Sequence, residues 1–160
     1  MKTLNLIAEI GVNHEGKLKN ALEHVRAAKD GGAQSVKFQV YKAEKIVSQY
    51  AKSYWDKKAE KETSQLKLYR RFDGLTLKDY QKIYKFCKKI KIKFIITPFD
   101  LDSVNFFKNK VDYFKISSSD ITNYPLIEKI SRAQKPIILS TGASTYEEVR
   151  SALKIIEKRN

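Results

Sequence analysis

Two lysines stand where strand-like stretches would otherwise carry apolar side chains. Lys37 lies between Val36 and Phe38 in "AQSVKFQVYKAEK", and Lys115 follows Phe114 in "VDYFKISSSDITNYP". Taking a lone ammonium out of water is costly, so two of them inside strands imply anionic company. Glu9, in "LNLIAEI", can neutralise one of them. The other calls for a bound anion, and the hydroxyls of Thr97, Ser117, Ser118, Ser119 and Ser140, with the loop glycine Gly142, lie in the neighbouring stretches. Phosphate or carboxylate suits such a set. The bland alternative places the lysines on edge strands facing water. No Walker sequence or glycine-rich nucleotide fingerprint accompanies them, so a nucleotide phosphate is the weaker form of the expectation.

The hydrophobic pattern says which elements position these groups. Short runs rich in Ile, Val or Phe at 4–10, 35–40, 93–97, 112–117 and 136–140 read as strands. Segments of helical period lie between and after them, near 18–30, 76–90, 101–109, 123–133 and 145–159. Thr76 and Asp100 mark two helix starts, and Thr145 with Glu148 has the capping-box spacing of a third. Five consecutive βα units predict a parallel sheet with helices packed outside it. Alternation puts Leu6, Ala8 and Ile10 opposite Ile7 and Glu9. It likewise puts Val36, Phe38 and Val40 opposite Lys37 and Gln39, Phe94 and Ile96 opposite Ile95 and Thr97, and Phe114 and Ile116 opposite Lys115. An open doubly wound sheet covers both faces with helices. One apolar face and one face turning polar at the carboxyl ends instead predict part of a (β/α)₈ TIM-type barrel.

Composition narrows the function classes. The 160 residues are 42% hydrophobic, enough for one globular core, and carry a formal net charge of +14. That charge suits nucleic acid, an anionic surface or a small anion alike. Most of it is lysine on helix-like stretches such as "KKIKIK", which read as solvated faces, and no arginine-rich stripe, zinc-finger spacing or ribonucleoprotein motif points to nucleic acid. The single cysteine, Cys87, excludes an internal disulfide and falls on an apolar helical face, as expected of a core residue in a reducing compartment. No run approaches membrane-spanning length, and "MKTLNLIAEIG" is too short for a leader, so a cytoplasmic protein without a membrane partner is expected. His14 and His24 are the only histidines and offer no metal cluster; an Asx turn at Asn13 with local packing of His14 is the expectation for "VNHEG". The stretch 42–75 is long for a βα connection, usually about two to six residues. Its Tyr50, Tyr54, Trp55, Tyr69 and Phe72 would line a cover over the site or pack as a small helix on the rim.

Five stretches together, "IAEIGVNHEG", "GGAQSVKFQVYKAEKIVS", "ITPFDLDSV", "FKISSSDITNYPLI" and "KPIILSTGAS", resemble the N-terminal half of the sialic acid synthase family, which includes N-acetylneuraminate, legionaminate and pseudaminate synthases. The resemblance covers nearly the whole chain, in order. It implies condensation of phosphoenolpyruvate with an N-acetylated hexosamine such as N-acetylmannosamine, giving a nine-carbon 2-keto sugar acid and phosphate. It also implies a divalent metal, Mn²⁺ or Mg²⁺, whose histidine ligands belong to later strands. Carried over by position, Lys37, Thr97, Lys115, Ser118 and Ser140 match residues that hold phosphoenolpyruvate. Glu9 matches the acid near the reacting carbons, and Asp120 an acidic sugar-binding position where other members carry Glu. A complete barrel takes about 250 residues, and the family adds a C-terminal antifreeze-like domain. The expectation is therefore an N-terminal five-unit partial barrel, without the later strands or that domain, working as a homo-oligomer or completed by another chain. The alternative is a catalytically inactive partial barrel that binds an anion or serves as an assembly partner.

Overall fold

The computed structural model describes residues 4–159; the first three residues of the stretch weighed as a leader lie outside them. Five strands form one sheet: β1 (Ile7–Gly11), β2 (Ser35–Val40), β3 (Lys93–Pro98), β4 (Tyr113–Ile116) and β5 (Ile137–Leu139). All pairings are parallel, and the spatial order is the chain order, β1-β2-β3-β4-β5. That order decides between the two architectures. A doubly wound sheet reverses its order at a switch point, whereas a barrel adds each strand beside the last. The helices that return the chain are α1 (Leu18–Asp30), α4 (Leu77–Lys89), α5 (Leu101–Phe107), α6 (Tyr124–Ser131) and α7 (Tyr146–Arg159). Two short helices, α2 (Ala43–Ile46) and α3 (Gln65–Arg70), belong to the long connection after β2.

The helix starts follow the local chemistry. Thr76 and Asp79 form a reciprocal capping box at α4, and Asp100 accepts the Ser103 N–H at 2.8 Å at α5. At α7, Glu148 accepts the Thr145 N–H at 2.7 Å while Thr145 Oγ1 accepts the Glu148 N–H at 3.2 Å. The outward face of the sheet packs on the helices as read from the sequence. Phe38, Phe94, Phe107 and Phe114 are fully buried, with ring centroids of Phe38 and Phe94 5.8 Å apart. Each such side chain contributes about 1.5–3 kcal/mol by leaving water. Ile95, on the opposite side of β3 from Phe94 and Ile96, is also buried but stands outside that cluster. Cys87 is fully buried in α4, where burial and the nearby Asp112 carboxylate push its thiol pKa up to about 12.

Two boundaries shift. β1 begins at Ile7 rather than residue 4, and Leu4 and Leu6 are exposed at 83% and 49%. Its register against β2 slips between Glu9 and Gly11, a β-bulge that alternation does not reveal.

Candidate active site

The carboxyl ends of the strands gather the predicted groups. Glu9 pairs in register with Lys37 on the adjacent strand, and Lys37 with Ile95 on the next. From there the Lys37 side chain reaches forward: Nζ stands 2.8 Å from Glu9 Oε2 and donates to Thr97 Oγ1 at 3.0 Å. Lys37 is buried, its side chain 11% exposed, whereas that of Glu9 is 56% exposed. The bulge at Gly11 holds this geometry. Gly11 has φ +58°, and a Cβ there would stand 3.2 Å from Glu9 Oε1.

Lys115 lies two strands away and is half-buried. Its Nζ donates to the Ile116 carbonyl at 2.6 Å, a neutral acceptor, and no carboxylate of the described residues stands within ion-pair distance of it. Burial first and the Lys37 ammonium second hold its pKa below the ordinary lysine value, with Glu9 opposing them. Lys115 therefore lies within electrostatic reach of both Lys37 and Glu9. The serines follow directly after β4. Ser118–Asp120 form a 3₁₀ turn, and Ser117 and Ser119 share a hydroxyl hydrogen bond of 2.9 Å. Ser118 lies beside the loop after β5, its Oγ 3.7 Å from where a Gly142 Cβ would stand. Ser140 is held there by its N–H donating to the Ile116 carbonyl at 3.1 Å.

Asp120 ends the 3₁₀ turn. It lines a cleft of about 610 Å³ with Ser119, Asn123, Gln39, Tyr41 and Tyr69. Asn123 Nδ2 donates to Asp120 Oδ1 at 3.2 Å, while Oδ2 is buried without a protein partner. Burial raises the Asp120 pKa above its ordinary value, partly opposed by Asn123 and Ser119. The cleft's far wall comes from the long connection, where Tyr54, Tyr69 and Phe72 line it. The Tyr54 and Tyr69 hydroxyls lie 3.2 Å apart, and the Tyr41 ring packs against Tyr69 at 5.8 Å and edge-on against Phe99 at 6.1 Å. Burial and the Tyr54 hydrogen bond push the Tyr69 pKa up to about 12, so it is a neutral donor at physiological pH. Of the aromatics expected as a cover, Tyr50 is 82% exposed, and Trp55 packs edge-on against Tyr54 with its Nε1 donating to the Glu62 carbonyl at 3.1 Å. Sequence reading put Gln39 on the polar face of β2 but missed Tyr41 and Phe99. Their signal was position, at or just past the carboxyl ends of β2 and β3.

His14 lies in the loop after β1 and packs against β2 and α4. It is fully buried, its Nδ1 accepts the Gly16 N–H at 3.0 Å, and its ring stacks on Phe38 at 6.1 Å. With Nδ1 accepting, Nε2 carries the proton toward the Tyr80 hydroxyl at 3.4 Å, and Tyr80 donates to the Gln39 carbonyl at 2.9 Å. Burial, then His24, lowers the His14 pKa to about 4. The local-packing expectation holds for His14. At Asn13 it is the backbone carbonyl, not the side chain, that is engaged, by His24 Nε2 at 3.3 Å. Among the described residues no group of three or more His, Cys, Asp or Glu is arranged to hold a metal ion, and no helix is long and apolar enough to cross a membrane.

The chain is similar to known proteins along its length. It is 40% identical to the N,N'-diacetyllegionaminic acid synthase of Campylobacter jejuni over 99% of the chain and 48% of that protein. It is 28% identical to human N-acetylneuraminate-9-phosphate synthase over 97% of the chain and 44% of that protein. The chain thus spans about half the length of the curated relatives it matches. Among solved structures, the N-acetylneuraminic acid synthetase of Leptospira borgpetersenii, in complex with citrate, superposes with a TM-score of 0.83 at 30% identity, covering 99% of this chain and 51% of that one. A truncated 3-deoxy-D-arabino-heptulosonate 7-phosphate synthase from Thermotoga maritima, at 14% identity and a TM-score of 0.68 over 98% of this chain and 48% of that one, shares the fold. The family model that matches residues 24–160 is that of the NeuB family, and the chain belongs to that family.

Proposed function

We propose that this chain supplies anion-binding and sugar-binding groups of a site that condenses phosphoenolpyruvate with an N-acetylated hexosamine to a nine-carbon 2-keto sugar acid. The observation that carries the reading is the buried Lys37, bridging Glu9 at 2.8 Å and Thr97 at 3.0 Å, with a second lysine within electrostatic reach of both Lys37 and Glu9. Lys37 and Lys115 neutralise the phosphate and carboxylate of phosphoenolpyruvate, and the hydroxyls of Thr97, Ser118 and Ser140 orient them. Asp120 and the aromatic cleft take the sugar, with the unpartnered Asp120 Oδ2 available to a sugar hydroxyl or amide N–H. A new bond joins C3 of phosphoenolpyruvate to the aldehyde carbon, and the aldehyde oxygen, receiving the C=O pair, takes up a proton to become a hydroxyl. Water then adds to the oxocarbenium-like C2 as the C2–O bond breaks and inorganic phosphate leaves. Glu9, more than half exposed beside Lys37, accepts the proton of that water. The family resemblances to sialic, legionaminic and pseudaminic acid synthases support this chemistry.

A divalent metal of the Mn²⁺ or Mg²⁺ type belongs to the family's chemistry, but the described residues offer no donor set that fits one. Within the described residues β1 and β5 each have one neighbouring strand. Their outer edges are where further strands of a complete barrel would pair, from the same polypeptide or another copy. The test is phosphate release from phosphoenolpyruvate with manganese and N-acetylmannosamine or a diacetamido analogue. Release that needs both substrates and disappears in Lys115→Ala supports the reading. Phosphoenolpyruvate binding without release supports the inactive, anion-binding alternative.

A further inference from the structure

The connection from Ala43 to Asp73 leaves the barrel rim and returns to the point it left. Its neck is closed by one residue. Asp73 Oδ2 accepts the N–H of the fully buried Ala43 at 2.9 Å, and the Asp73 carbonyl accepts from Lys42 Nζ at 2.5 Å. Just beyond it, Gly74 lies against Gly16 of the loop after β1, and a Cβ on Gly74 would stand 3.1 Å from the Gly16 Cα and carbonyl oxygen. Inside the neck the segment is tied to itself, by Arg70 to Glu44 at 2.6 Å, Arg71 to Glu60 at 3.1 Å and an antiparallel bridge between Lys52 and Ser64. It is therefore a closed, self-braced loop, joined to the barrel at the neck, by Lys45 pairing with Asp100 and Asp102 at the start of α5, and by Tyr41 against Tyr69. Tyr54, Tyr69 and Phe72, the aromatic wall of the cleft, ride on that loop, whereas Lys37, Thr97 and Lys115 ride on the strands.

We propose that Asp73 is a positioning residue for the acceptor half of the site: by holding the Ala43 N–H it fixes the aromatic wall opposite Asp120 without touching the anion half. This rests on the function proposed above. An exposed surface ion pair would be of little consequence here, but a hydrogen bond to a buried backbone donor is costly to lose, because Ala43 N–H has no water to turn to. Misplacing a substrate-positioning wall by about 1 Å costs up to about a hundredfold in rate.

The experiment compares the unmodified chain with Asp73→Ala and Asp73→Asn in two readouts. The first is the KM for N-acetylmannosamine or its diacetamido analogue against the KM for phosphoenolpyruvate. The second is acrylamide quenching of Trp55, the only tryptophan of the chain, which sits in the loop against Tyr54. Asp73→Ala is expected to raise the sugar KM about tenfold or more and to alter Trp55 quenching, while the phosphoenolpyruvate KM stays within about twofold. Asp73→Asn keeps an oxygen for the Ala43 N–H and is expected to behave as the unmodified chain in both. Equal losses for both substrates, unchanged sugar KM and quenching in Asp73→Ala, or an Asp73→Asn variant as impaired as Asp73→Ala, each overturn the proposal. A chain that turns nothing over refutes the proposed function instead. The Trp55 arm then still decides Asp73: altered in Asp73→Ala and restored in Asp73→Asn, the neck positions the wall; otherwise it does not.

Discussion

Replacing Glu9 by Gln removes one charge from a pair whose other member is buried. At 2.8 Å the Coulomb attraction is about 1.5 kcal/mol in bulk water and about 6 kcal/mol at an effective dielectric constant of about 20. Desolvation of Lys37 cancels part of this. Breaking a fully buried pair costs about 3–5 kcal/mol and an exposed one at most about 1 kcal/mol. With the Lys37 side chain 11% exposed and that of Glu9 56% exposed, Glu9→Gln falls between these limits, at about 1–2 kcal/mol. For a chain of this size that lowers Tm by about 2–8 °C. Lys37→Met should cost less, because Glu9 is left in contact with water, and the double variant should resemble Lys37→Met alone. Urea unfolding of all four proteins gives the coupling directly. A Glu9→Gln loss below about 0.5 kcal/mol, or additive single losses, would refute the claim that this pair neutralises the buried lysine.

Three further outcomes follow from the same geometry. Lys115→Met should raise the Tm of the ligand-free chain at neutral pH. Burial and Lys37 hold the folded-state pKa below the unfolded one, so the unfolded state binds more protons between them and stability rises with pH through that window; the variant should lose this slope. His14, neutral in the fold with a pKa near 4, should cost stability as pH falls from about 6.5 to about 4, about 3 kcal/mol in all; His14→Gln should flatten this part of the stability profile measured by urea unfolding. Cys87, fully buried with its pKa pushed up to about 12, should resist a thiol reagent such as Ellman's until denaturant is added, whereas stoichiometric labelling of the native chain would contradict its placement in the core.

Much of this architecture is legible before any coordinates, because its signals are local. The Thr76, Asp100 and Thr145 caps stand three residues from the groups they bind, and alternation alone puts Lys37 and Thr97 on one face, where they bond. The start of β1 is overestimated because Leu4 and Leu6 look like strand residues but are exposed. The Glu9–Gly11 bulge breaks the period of two that strand reading assumes. The aromatic cleft is only half legible. Tyr69 and Phe72 stand out as aromatics in a long connection, but Tyr41 and Phe99 look like the ends of strands until the fold sets their rings 6.1 Å apart. Asp73 carries no signal, since its role depends on residue 43 coming back beside it across the whole loop.

The central claim is that Lys37 and Lys115 bind one small anion between them. Calorimetric titration of phosphoenolpyruvate into the chain, into Lys37→Ala and into Lys115→Ala, at low and high salt, tests it most directly. One saturable site whose affinity falls at least about tenfold in either variant, and which persists at moderate salt, is the result predicted here. Binding that survives both substitutions and fades smoothly with salt would place the anion on the lysine-rich surface and contradict the account.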